Sequence, residues 1–125
     1  MKKIKYLETS EFQRDLDRLC RKYRTLPDDL NTAKVNAIEL LHVHGLDNKS
    51  TFPIPDHCSD EIVIYKIRKF TCKALKGRGN RSGIRLIYAF LPKSMTVELI
   101  EIYFKGEKEN EDRNRIREYL HLFHP

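Results

Sequence analysis

Residues 62–70 read I-V-I-Y-K-I-R-K-F, residues 82–91 read S-G-I-R-L-I-Y-A-F-L, and residues 96–104 read T-V-E-L-I-E-I-Y-F. Each run has strand length and is rich in Ile, Val, Tyr and Phe, so the three predict consecutive β-strands. Hairpin connections between them make the strands antiparallel. Alternation puts Lys66 and Arg68 on one face of the first strand, roughly 7 Å apart. In the second strand, Leu86, Tyr88 and Phe90 lie opposite Arg85, Ile87 and Ala89. In the third, Ile100, Ile102 and Phe104 alternate with Leu99, Glu101 and Tyr103.

Charge is the second signal in this stretch. Residues 62–93 hold nine basic side chains (Lys66, Arg68, Lys69, Lys73, Lys76, Arg78, Arg81, Arg85, Lys93) and no Asp or Glu. Charge this one-sided repels itself unless an anion sits on it, and a nucleic-acid backbone is the obvious counterpart. Lys73, Lys76, Arg78 and Arg81 belong to a basic hairpin tip suited to backbone contact rather than chemistry. Gly77 and Gly79 mark a turn; their spacing is not that of a phosphate-binding loop. The 125-residue chain carries a net charge of +6, with the excess concentrated in this central third.

Working outward, residues 4–7 form a short first strand. Ser10-Glu11-Phe12-Gln13 reads as a capping box with Ser10 as N-cap. Phe12, Leu16, Leu19, Cys20 and Tyr23 follow on one helical stripe. Leu26-Pro27-Asp28-Asp29 starts a second helix, with Pro and acids in its first turn. Leu30, Ala33, Ala37, Ile38 and Leu41 line its apolar side, and Gly45 stops it. Residues 47–60, with Pro53 and Pro55, read as a loop. A last helix starts near Asn110, with Ile116, Tyr119, Leu120 and Phe123 as its stripe and a charged outer surface that includes an Asp112–Arg115 pair. The predicted order is β-α-α-β-β-β-α. This is an α+β domain over residues 1–125, an antiparallel sheet with helices packed on one face and the other face partly open.

Composition narrows the setting. At 40% hydrophobic residues the chain is long enough to bury a core without disulfides. Cys20, Cys58 and Cys72 show no C-x-x-C spacing, and His57 with Cys58 lacks a second pair at ligand spacing, so no metal is expected. The N-terminus lacks an apolar signal region and no stretch is suited to span a membrane, which points to a reducing, cytoplasmic location. His42 and His44 lie near a helix end, where the dipole accounts for them, and His121 and His124 near the C-terminus.

The Y-K-I-R strand, the S-G-I-R-L-I-Y strand and the segment I-E-I-Y-F-K-G-E-K-E-N-E-D (100–112), in that order, resemble the RelE/ParE superfamily of toxins from type II toxin–antitoxin systems. The resemblance covers most of the chain and is strongest over residues 62–112. It implies a RelE-like fold and a toxin held inactive by an acidic antitoxin protein, with operator DNA reached only through that antitoxin. It also implies a metal-independent messenger-RNA endonuclease, free or ribosome-dependent, that inhibits translation and needs no cofactor. Two other readings stay open: a ParE-like gyrase inhibitor, and a catalytically inactive module that binds antitoxin and operator.

Carried over residue by residue, the family's basic strand pair falls on Lys66 and Arg68, and the arginine of its S-G-Y-R strand on Arg85. Its next arginine meets Gly106, with Lys105 and Lys108 the nearest cations. The tyrosine that follows has no counterpart near Asp112. Metal-free cleavage needs a base for the 2′-hydroxyl, an acid for the leaving oxygen, and cations for the phosphorane. Arg85 suits the phosphorane, because guanidinium stays charged and matches phosphate geometry. Lys66 and Arg68 would position the backbone, with Lys66 the titratable member. Lys108 and Glu109 are candidates for the missing partner. Lys69, Lys73, Lys76, Arg78, Arg81 and Lys105 would bind RNA. Tyr65, Tyr88 and Tyr103 would stack bases only from an open face. The plain alternative for Arg85 is a salt bridge to Glu98 or Glu101.

Overall fold

The computed structural model describes residues 3–122, apart from the side chains of Asp56 and Cys58. Its elements are β1 (Lys5–Glu8), α1 (Ser10–Cys20), α2 (Leu26–Ala33), a π-helical stretch Lys34–Glu39 continuing into α3 (Leu40–His42), β2 (Thr51–Cys58), β3 (Val63–Ile67), β4 (Ile84–Leu91), β5 (Thr96–Phe104) and α4 (Arg113–His121). The fold is α+β. The sheet has five strands in the order β1-β5-β4-β3-β2.

The three-strand meander is present: β3 pairs β4 and β4 pairs β5, all antiparallel. Two features depart from the sequence expectation. First, β1 lies parallel to β5, Lys5 opposite Thr96 and Glu8 opposite Leu99, so the sheet is mixed. The helical hairpin of α1–α3 separates β1 from the rest of the sheet, and such a connection permits either direction. Second, the predicted loop 47–60 holds β2, an edge strand antiparallel to β3. Pro53 and Pro55 made it read as a loop. On an outer strand, prolines two residues apart place their missing N–H groups on the same edge, where no ladder bond is lost.

Local signals set the helix ends. The cap of α1 is Thr9, one residue before the expected Ser10; its Oγ1 accepts from the Phe12 N–H at 3.1 Å. Gly45 ends the second helical segment at φ +67°. Asp112 caps α4, accepting from the Arg115 N–H at 3.1 Å. Its expected surface partner, the Arg115 side chain, instead reaches Asp15 of α1 at 2.6 Å. Phe123 and His124 lie outside the described residues.

Helices cover both sheet faces, not one. Phe12, Leu19, Leu26 and Ile38 from the hairpin pack on Leu86, Tyr88, Leu99 and Ile102. On the other face Ile116 and Tyr119 of α4 pack with Ile54, Ile64, Ile87, Ile100 and Tyr103. Covered on both sides, β4 and β5 are buried almost throughout, as their nearly unbroken apolar runs require.

Simple alternation fails in β5. The register steps from Ile87↔Glu101 to Tyr88↔Leu99, leaving Ile100 as a bulged residue. The bulge reverses the parity. Ile102 joins Leu99 on the hairpin side, whereas Tyr103 joins Ile100 on the α4 side. Beyond the end of β1, side chains finish the edge of β5. Arg115 donates to the Ile100 carbonyl at 3.0 Å, and Asp15 accepts from the Ile102 N–H at 3.3 Å. Thus α4 occupies part of the face expected to be open, and the loop 105–112 crosses the end where Lys66, Arg68 and Arg85 emerge.

Candidate nucleic-acid interface

Lys66, Arg68 and Arg85 leave the sheet on the α4 side, from the ends of β3 and β4. They line one concavity of about 120 Å³, together with Lys105, Glu109 and Asn110 of the loop after β5. A hollow of about 360 Å³ adjoins it, sharing Arg68, Arg85 and Lys105 and adding Lys69, Arg81 and Asn80. The two form one groove. Lys73, Lys76 and Arg78 are exposed on the turn after β3 and do not line it.

The cations of this groove differ in their partners. Arg85 Nη1 donates to the Arg68 carbonyl at 2.8 Å, which holds its guanidinium at the groove wall. Its expected alternative partners are engaged elsewhere: Glu98 accepts from the Tyr119 hydroxyl at 2.8 Å, and Glu101 accepts from Lys108 and from the Asp112 N–H. The Arg68 guanidinium lies 5.5 Å from the centre of the Phe52 ring, a cation–π contact that leaves its N–H groups open to solvent. Among the described residues no carboxylate pairs with Arg68, Arg81, Arg85, Lys69 or Lys105.

Lys66 and Lys108 are in a different state. Lys66 is 8% exposed and its ammonium lies 2.8 Å from Glu111. Lys108 is ion-paired with the buried Glu101. From the sequence, Lys66 is expected to be the titratable member of a cationic pair with Arg68. The structure gives it a carboxylate instead, supplied by a loop whose position no strand pattern encodes. Glu111 shows the pairing. Burial pushes its carboxyl up, but the Lys66 hydrogen bond and charge, with Arg113, bring it below its ordinary value.

Tyr103 lies beneath this loop, with the Lys66 and Lys108 ammonium groups 5.8 and 5.6 Å from its ring centre. Its hydroxyl is buried, and among the described residues it meets no partner at hydrogen-bond geometry, although the Lys66 ammonium lies near it. Burial raises its phenol, and the Lys66 ammonium opposes the rise. Among the described residues Glu109 is the carboxylate lining this concavity and is exposed there; an adjoining hollow that shares Lys66, Arg68 and Asn110 adds Glu111.

The other aromatic candidates lie on the opposite face. Tyr65 and Tyr88 stack on each other at 5.4 Å within the hairpin-side core. His42 joins them rather than merely ending a helix. Its Nε2 is 2.8 Å from the Tyr88 hydroxyl, and its ring stacks on Phe90 at 3.9 Å. Burial lowers its pKa from 6.5 to about 4. The folded state thus favours neutral His42. The stability this confers is complete above pH 6.5 and is lost as pH falls towards 4. Urea unfolding at pH 7 and pH 5 is expected to show a lower midpoint at pH 5, and His42→Gln a smaller difference.

No family model matches this chain, and no curated protein matches it. Its fold is similar to that of a chain in the crystal structure of the archaeal RelE–RelB complex from Pyrococcus horikoshii OT3. The two are 10% identical with a TM-score of 0.49, and the match covers 82% of this chain and 96% of the other. Likeness at that identity concerns the path of the backbone and assigns no residue a role.

Proposed function

We propose that this chain is the toxin of a type II toxin–antitoxin pair and acts as a metal-independent endoribonuclease on messenger RNA. The observation that carries this reading is the groove, in which, among the described residues, five cations without carboxylate partners lie around the exposed carboxylate of Glu109. The motif order across residues 62–112 supports it. Arg68, Arg81 and Lys69 bind the backbone, and Arg85 holds the scissile phosphate. Glu109 takes the 2′-hydroxyl proton, and the 2′-oxygen attacks phosphorus. The bond from phosphorus to the 5′-oxygen breaks, and the Lys105 ammonium supplies the proton to that oxygen. The products are a 2′,3′-cyclic phosphate and a 5′-hydroxyl. An acidic antitoxin protein blocks the same groove by covering its charge.

One observation favours a second reading. Both lysines expected to take part in the chemistry, Lys66 and Lys108, are neutralised by buried carboxylates. This suits a module that binds nucleic acid or antitoxin without cutting. The two readings separate on incubation of the purified protein with RNA in EDTA. The nuclease yields fragments with cyclic-phosphate ends, and Glu109→Gln slows their formation at least tenfold while RNA binding persists. RNA left intact at full occupancy, both free in EDTA and on translating ribosomes in magnesium buffer, would leave only the binding module.

A further inference from the structure

A cleft of about 180 Å³ opens beside the groove, between the π-helical stretch and the turns flanking β2 and β3. Asp29, Asn36, Ser50, Lys69, Phe70 and Asn80 line it, and it shares Lys69 and Asn80 with the groove. Asp29 is only 2% exposed. Its Oδ2 accepts from the Thr25 hydroxyl at 2.7 Å and the Lys73 N–H at 3.1 Å. Its Oδ1 accepts no hydrogen bond among the described residues. The Cys72 thiol beside it, raised by burial and by this carboxylate, is at best a weak donor. Oδ1 keeps a small opening to the cleft, and a donor entering there completes its hydrogen bonding. The wall opposite is fixed: the Asn36 carbonyl accepts from the Asn48 side chain at 2.7 Å, and Asn48 accepts from the Ser50 N–H at 3.0 Å. Irregular helix of the π type recurs at ligand sites.

We infer that this cleft receives one unstacked nucleobase of the strand held in the groove, and that it prefers guanine to uracil; this rests on the nucleic-acid reading above. The cleft is well below the roughly 300 Å³ at which sites for drug-sized ligands begin, so it admits a ring while sugar and phosphate stay outside. Guanine offers two adjacent donors, N1–H and the N2 amino group, for the Asp29 oxygen. Its O6 and N7 are acceptors for Lys69 and Asn80, a pairing lysine makes readily. Ala33, Ala37 and the edge of Phe70 line the cleft and supply apolar surface for an unstacked base. Uracil has one donor between two acceptors, and both acceptors would compete poorly for the same partners.

The test is titration of the full-length, isotopically labelled protein with GMP and with UMP, followed by NMR. GMP is expected to shift the side-chain amides of Asn36 and Asn80 and the backbone of Ser50 and Phe70. UMP is expected to shift only Arg68, Arg85 and Lys105. Asp29→Asn keeps an oxygen for Thr25 and Lys73 and replaces the free acceptor by a donor, so GMP should bind the cleft at least tenfold more weakly. Should that variant fail to fold, the exposed Asn80→Ala is expected to weaken GMP at least threefold. Equal response of the cleft to both nucleotides, or GMP binding unchanged in these variants, would overturn the inference. GMP shifts confined to the groove would overturn it too, while leaving the groove reading intact. Shifts confined to the cleft would overturn both readings, because no strand would then be held in the groove.

Discussion

Arg85→Ala is expected to lower RNA cleavage by about 10²–10³-fold, or roughly 3–4 kcal/mol, the usual cost of removing one donor from a developing anion. Arg85 is half-exposed, and among the described residues its guanidinium donates to the carbonyls of Arg68 and Ile84, at 2.8 and 3.5 Å. Truncation therefore leaves no buried carboxylate unpaired, and the unfolding midpoint should barely move. Binding should weaken as well, and its salt dependence should flatten. Single-stranded nucleic acid contributes a slope of about −0.7 in log K against log salt for each phosphate neutralised, so losing Arg85 removes about 0.7. Induced expression offers the matching cellular measurement. Wild type is expected to arrest growth with cleaved transcripts, and Arg85→Ala to relieve the arrest. Arrest with intact transcripts and altered DNA supercoiling would instead indicate gyrase as the target. If Arg85→Ala cleaves at the wild-type rate, the proposed role for this groove is wrong.

Lys66→Ala should show the reverse pattern, with stability as the principal loss. The Lys66–Glu111 pair is buried, with side chains 10% and 6% exposed. Breaking such a pair by removing one partner costs about 3–5 kcal/mol, because the remaining charge stays buried. Arg113 lies 3.5 Å from Glu111 and moderates the loss, which places the expectation near the lower figure. Replacing both partners together, Lys66→Met with Glu111→Leu, should restore most of the stability. The pH dependence follows from Glu111, whose carboxyl in the folded protein lies below its ordinary 4.5. Its contribution is complete above about pH 4.5 and is lost as pH falls through the lowered value. Denaturant unfolding between pH 7 and pH 3 should show this loss in wild type and not in the double variant. A Lys66→Ala protein as stable as wild type would mean that the pair contributes little net energy.

These two variants would separate the cations proposed to bind RNA from the one that holds the loop in place. Arg85, Arg68 and Lys105 face solvent without carboxylates, whereas Lys66 and Lys108 fasten residues 105–112 over Tyr103. The same cluster of basic residues therefore has two jobs. Their spacing in the chain does not distinguish them, since Lys66 and Arg68 alternate identically on one strand.

Much of the architecture was readable from periodicity and end signals. The apolar runs at 62–70, 82–91 and 96–104 encode the meander, because strands covered on both faces must be apolar nearly throughout. The stripe from Phe12 to Tyr23 and the stop at Gly45 encode the hairpin, because a helix buries a fixed face and ends where φ turns positive. Strand alternation put Lys66 and Arg68 on one face, whereas Arg85 joins them through the β3–β4 register, which sets Lys66 opposite Ile87. Tertiary contacts decided the rest. The edge strand around Pro53 and Pro55 exists because β3 offers it a partner, which no local propensity records. The bulge at Ile100 is stable because Arg115 and Asp15, from two different helices, complete its hydrogen bonds, and it turns Tyr103 to the α4 face against the simple alternation. Which lysines remain free cations depended on where Glu101 and Glu111 come to rest, 35 and 45 residues along the chain from Lys66. Ion pairing depends on distance in space, and strand periodicity carries no information about a loop that folds back across the sheet.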